Sequence, residues 1–210
     1  MDEARLTLQQ WLSPSFPVSA FAYSHGLEWA ISEGRIADAE TLRGWLETVL
    51  RTGSGRTDGA LVAAAARGED PGALSELAEA LATSAERWAE TRDQGAAFVA
   101  TTNALYADTL QAMPYPVAFG VRARALELPV AEVVAMYLQA FTSNLVSAAV
   151  RFIPLGQTDG QRVASALHPV IAALGVELST LPTDRIGTSA VLSDMAAMAH
   201  ETMDVRIFRS

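Results

Sequence analysis

Three histidines and no cysteine bound what this chain can do with a metal. His25 and Glu28 stand three positions apart, so on a helix they would share a face, as the ligands of carboxylate-bridged centres do, but a second Glu-x-x-His pair is missing. His200 and Asp204, in HETMD, have i, i+4 spacing and fall one residue short of the zincin pattern H-E-x-x-H. A zinc site needs three or four ligands, and His168 is the one histidine left to help. A buried, hydrogen-bonded His25–Glu28 pair is therefore favoured, with transient metal contact as the alternative. Serine chemistry has no better support: there is no G-x-S-x-G, and Ser24 sits in an apolar stretch read as buried. The glycine-rich run RTGSGRTDG at 51–59 lacks the GK[ST] ending and the preceding strand of a phosphate loop, so it reads as a helix-to-helix linker. No catalytic residue and no metal ligand is assigned.

Composition narrows the classes further. The 210 residues fit one large domain, and half of them are hydrophobic, ample for a core. All fifteen basic residues are arginine, which removes any chemistry that needs a lysine amine, such as a Walker phosphate lysine or a Schiff base. The net charge of −9, without a basic cluster, argues against a nucleic-acid partner. The absence of cysteine, of an apolar leader and of an uncharged run of membrane-spanning length points to a cytoplasmic protein that neither spans nor enters a membrane.

The elements that must position these residues are helices. SPSFPVSAFAYSHGLEWAI, 13–31, reads as a stiff proline entry followed by a helix apolar on all sides, hence the buried centre of the fold, with something packed close to Gly26. Leu8, Trp11 and Leu12 mark a short helix before it. Asp38 reads as the N-cap of a helix carrying Leu42, Trp45, Leu46, Val49 and Leu50. Further helices are expected over 61–66, after Asp70-Pro71, and over 84–112 with Trp88, Phe98, Thr102, Leu105 and Tyr106 inward. Pro129 and Pro154 bracket a helix of about six turns, roughly 35 Å long, from Val130 to Phe152. After an LGQTDG turn comes a helix kinked at Pro169, and finally one from Ser189 that turns Val191, Leu192, Met195 and Met198 inward. The expectation is an all-α, single-domain bundle of roughly nine or ten helices, residues 1–204, with 205–210 as a separate tail. In that tail Arg206 and Arg209 bracket Ile207 and Phe208, anchor types for a protein interface, although a frayed end has the same look.

Three blocks carry a family resemblance. PVSAFAYSHGLEWA at 17–30 resembles the N-terminal signature of the UreF family of urease accessory proteins, roughly LPVGAFSYSHGLE. PVAFG at 116–120 with NLVSAAVRFIPLGQTDGQR at 144–162, and HETMDVRIFRS at 200–210, are similar to later blocks in family order. Ser19, Ala22, Met203 and Val205 depart from the pattern. The signature positions are Tyr23, Ser24, His25, Gly26, Glu28, Gln157, Thr158, Asp159, Gly160, His200 and Glu201.

The resemblance implies a non-enzymatic chaperone that helps load nickel into the urease apoprotein in a GTP-dependent way. It implies a bridge between UreD (also called UreH) and the GTPase UreG, a homodimer, and no cofactor of its own, nickel being handled by the complex. Arg206, Ile207, Phe208 and Arg209 match the segment that docks on UreD. The alternative is a regulator or activator of UreG acting through an arginine, with Arg206, Arg209 or Arg151 as candidates.

Overall fold

Residues 54–67, rich in glycine and alanine, form the helix that the rest of the molecule surrounds. The computed structural model describes residues 3–210, and among them the chain is all-α, as expected, with eleven α-helices, two 3-10 turns and no strand. In chain order the helices are α1 (Glu3–Trp11), α2 (Leu27–Ser32), α3 (Ala39–Thr52), α4 (Ser54–Arg67), α5 (Pro71–Ala80) and α6 (Ala85–Tyr106). They continue as α7 (Tyr115–Arg124), α8 (Val130–Ala149), α9 (Gln157–Ala166), α10 (His168–Ser179) and α11 (Val191–His200). One principal core runs through the molecule, from Leu8 and Trp11 near its start to Phe208 near its end.

The buried centre is real but lies elsewhere than 13–31. That stretch is not one helix: Ala20–Ala22 makes a single 3-10 turn, Ser19, His25 and Gly26 take positive φ, and α2 begins only at Leu27. The burial is only partial, since Phe16, Val18, residues 23–28 and Ala30 are buried but Phe21 is 60 % exposed, and an L-residue with positive φ cannot sit inside a right-handed helix. The centre is α4, in which Gly55, Thr57, Asp58, Gly59 and every residue from Ala60 to Ala65 are buried. The linker reading of 51–59 is thereby corrected. Small side chains let neighbours come close: a Cβ added to Gly120 of α7 would lie 2.5 Å from the Val62 carbonyl oxygen of α4. Helices α8 and α10 also pack on α4, where Leu138 and Leu178 meet over Gly59.

Several local signals act as read. The Asp38 side chain accepts from the Thr41 N–H, with Thr41 completing a capping box for α3, and Asp70 caps α5 with Pro71 in its first turn. Other boundaries shift. The helix expected over 84–112 ends at Tyr106, leaving Leu105 and Tyr106 exposed, while Phe98 and Thr102 are buried. Pro169 does not kink one helix but opens a second, α10, because a proline fits the first turn, where its missing N–H has no intrahelical partner. Residues 157–159 of the expected turn are the first turn of α9. In α11 the expectation is inverted. Val191, Leu192, Met195 and Met198 are exposed, whereas Ser193, Ala196, Ala197 and His200 face inward.

Candidate functional site: the seat of the C-terminal tail

The tail folds back onto the body. Phe208 is only 5 % exposed and its ring lies 5.4 Å from that of Phe152, while the Arg151 guanidinium sits 5.9 Å over its face. The blocks 23–28, 151–152 and 200–210 therefore meet in one place.

Glu28, in the first turn of α2, holds the tail backbone. One carboxylate oxygen accepts from the Ile207 N–H at 2.9 Å and the other from the Phe208 N–H at 2.9 Å. Ser24 donates its backbone N–H to the Ser210 carbonyl at 2.7 Å, its hydroxyl donates to the same oxygen, and the Arg209 N–H bonds to the Ala22 carbonyl at 2.8 Å. Tyr23 is hydrogen-bonded to Arg209 and its phenol is pushed up by burial, an effect that this bond opposes. His200, at the end of α11, lies between Glu86 Oε2 at 2.7 Å and Glu28 Oε2 at 3.3 Å. Arg206 pairs with the other oxygen of Glu86, and Glu201 accepts from the Glu86 N–H, capping the start of α6.

His25 belongs to a second network. Its Nδ1 faces Ser54 Oγ at 3.2 Å, its Nε2 lies 3.0 Å from Glu90 Oε1 and 3.1 Å from Arg87 Nη1, and its ring meets Phe141 edge-on. The expected His25–Glu28 pair is thus corrected: the left-handed turn at His25 and Gly26 sends the two side chains into different networks. The two networks are joined at Ser210, whose hydroxyl donates to Glu90 at 2.9 Å. His200 and Asp204 do not share a helix face either, since α11 stops at His200 and Asp204 is exposed. Among the described residues no group of three or more His, Asp or Glu is placed to hold a metal ion.

Asp58, Arg87, Glu90 and Tyr137 complete the second network and were not singled out from sequence. Arg87 pairs with Glu90, and its other nitrogen lies 3.5 Å from Asp58, to which Tyr137 donates at 3.4 Å. Arg87, Glu90 and Gln94 recur along α6 at i, i+3 and i+7. That periodicity of polar residues, in the first half of a helix where Trp88 is the one large apolar residue, was the available signal. These groups line a partly open cavity of about 50 Å³. It has room for a few waters and is far below the roughly 300–1,000 Å³ of a small-molecule pocket.

Electrostatics makes this network consequential. Burial alone would push the Glu90 carboxyl up, but the Arg87 guanidinium and His25 beside it hold it down at about 2. Burial pushes Asp58 up, with Arg87 and His25 only partly offsetting it. A depressed carboxyl contributes stability above its unfolded value and loses it as pH falls through the folded one. Glu90 therefore favours the fold at neutral pH and ceases to do so between its ordinary value of 4.5 and about 2. The full effect is roughly 3 kcal/mol. Asp58, shifted the other way, works in the opposite sense. We expect Glu90→Gln to be less stable than the parent at pH 7, and the gap to shrink by about pH 3, read by denaturant titration at both.

The remaining signature residues lie apart. Gln157 and Thr158 are exposed in the first turn of α9, Asp159 is half-buried and pairs with Arg162, and Gly160 is buried against Val150. Helix α9 packs on α3 and α8, so this block is not part of the tail seat.

A family profile described as UreF matches residues 36–168. The chain is 64 % identical over 210 residues to the urease accessory protein UreF of Dinoroseobacter shibae, covering the whole of both chains. It is 58 % identical, again over the full length of both, to that of a Cereibacter sphaeroides strain. It is 43 % identical to that of Rhodopseudomonas palustris, over 97 % of this chain and 92 % of the relative. On these matches, end to end and at such identity, the chain belongs to the UreF family of urease accessory proteins.

Proposed function

We propose that this chain is a non-enzymatic scaffold for urease maturation in the cytoplasm, bridging UreD (UreH) and the GTPase UreG, as a homodimer, while nickel enters the urease apoprotein. The observation that carries the reading is the tail itself. Its backbone is fixed by Glu28 and Ser24, Phe208 is sunk into the body, and Val205, Ile207 and Arg209 are left facing outward. A segment whose backbone is held while apolar and cationic side chains are presented suits docking on a partner such as UreD, because the entropy of ordering is already spent. Residues 205–210 are accordingly read as the docking tail of a domain formed by 1–204.

Regulation of UreG through an arginine is the second reading, and the geometry favours one candidate. All three are exposed, but Arg206 is engaged by Glu86 and Arg151 lies over Phe208, whereas Arg209 is steadied by Tyr23. The two readings part in a GTPase assay on UreG with and without the chain. The scaffold reading expects hydrolysis to change by less than about tenfold and Arg209→Ala to leave it so; an arginine finger gives about 10³-fold or more, lost in Arg209→Ala.

A further inference from the structure

His200 is fully buried, and each ring nitrogen faces a carboxylate: Nδ1 toward Glu86 Oε2 at 2.7 Å and Nε2 toward Glu28 Oε2 at 3.3 Å. An ionised carboxylate only accepts hydrogen bonds, and a neutral imidazole carries a single N–H. Both contacts are therefore made together only when the ring carries a proton on each nitrogen. The same two carboxylates receive the tail. Glu28 takes the Ile207 and Phe208 N–H groups, and Glu86 takes the Arg206 guanidinium.

We propose that His200 is a positioning residue for the tail, and that its second proton decides whether the tail is seated. With both nitrogens protonated the ring holds Glu28 and Glu86 in the posture that receives residues 206–208. When one proton leaves, a bare nitrogen lone pair faces a buried carboxylate oxygen, and the seat loosens. The other charged groups at this junction are Arg206, from the tail, and Glu201, which follows α11 and bonds to the Glu86 N–H. Neither supplies a second donor to Glu28. The tail is therefore seated where the ring carries both protons and released on the alkaline side, where it has lost one. The consequence for function rests on reading the tail as the partner-docking segment, for docking would then depend on the proton.

The test is amide hydrogen exchange on the full chain, from about pH 6 to about pH 9, corrected for the intrinsic pH dependence of exchange. The Ile207 and Phe208 amides should lose at least about tenfold in protection across that range, while the Val62 amide in α4 keeps its own. The ¹⁵N shifts of the His200 ring should change over the same interval. In His200→Gln, which has a single donor group and no titration, tail protection should be low and flat with pH. Constant tail protection in the parent, or the same pH-dependent loss in His200→Gln, overturns the proposal. Should the variant not fold, the parent decides, because a ring transition that fails to coincide with the loss of tail protection is equally fatal. No partner is present in these measurements, so they are independent of whether the tail docks, which co-purification with UreD reads separately.

Discussion

Replacing Gly26 with leucine lowers the stability of the protein by about 3 kcal/mol or more, whereas Gly44→Ala leaves it unchanged or raises it by up to about 1 kcal/mol. Gly26 has φ +75°, a region that costs an L-residue roughly 1–2 kcal/mol. A Cβ there would also lie 2.5 Å from the Ala197 nitrogen and 2.7 Å from the Ala196 carbonyl carbon. Those atoms are backbone of α11 and cannot rotate away, so α2 and α11 must part, and overpacking of this kind typically costs a further 1–3 kcal/mol. Gly44 lies within α3 with nothing within 4 Å of an added Cβ, so alanine there gains helix propensity alone. Gly55, which a linker reading would make indifferent, is not a neutral control. In α4 its added Cβ would meet Leu50 and the Val49 carbonyl oxygen at 3.2 Å. Thermal melts suffice, since about 3 kcal/mol corresponds to a fall of roughly 6–12 °C at this size. Equal melting of Gly26→Leu and Gly44→Ala would mean that α2 and α11 do not approach as described.

The second large effect separates the two faces of the tail. Removing 205–210 or making Phe208→Ala costs about 3–5 kcal/mol, because Phe208 is 5 % exposed and packed on Phe152. Read from the sequence alone, 205–210 is a separate tail whose deletion lowers stability only modestly. Ile207 is the sharper probe. It is 71 % exposed, so Ile207→Asp should leave the melting temperature within a degree or two, yet weaken capture of UreD by about 30-fold, the equivalent of about 2 kcal/mol at an interface anchor. A variant that melts like the parent and still co-purifies with UreD in full would remove Ile207 from the docking surface.

How legible each element was depended on what kind of burial it had. Helix α3 could be read outright, because Leu42, Leu46, Val49 and Leu50 form one apolar stripe behind an Asp38 cap. Helix α4 could not, since RTGSGRTDG is linker-like in composition. It is helical because Leu138 and Leu178 close over Gly59 and only a long-range contact reveals that. The stretch 13–31 showed the burial of its second half, residues 23–28, but not the exposure of Phe21 nor its backbone, for apolar character does not report φ. Helix α11 was turned the wrong way round. Its large residues stand outward because the small ones, Ala196 and Ala197, are needed where Gly26 approaches. At the site, Glu28, His200 and Glu201 were visible as family signature residues, but their roles were not. His25 and Glu28 are only three positions apart, and no local rule says that one reaches α6 and the other the tail. Arg87 and Glu90 went unremarked because charged residues on a helix ordinarily face water.

The proposed role of the seated tail in urease maturation can be read in cells. The most direct measurement is the nickel content and activity of urease from cells that lack this chain and receive it back as the parent, Gly44→Ala or Ile207→Asp. The parent and Gly44→Ala should restore nickel-loaded, active urease, while Ile207→Asp, folded and present at the same level, should leave most of the enzyme without metal. Full nickel occupancy with Ile207→Asp, or none with the parent, would contradict it.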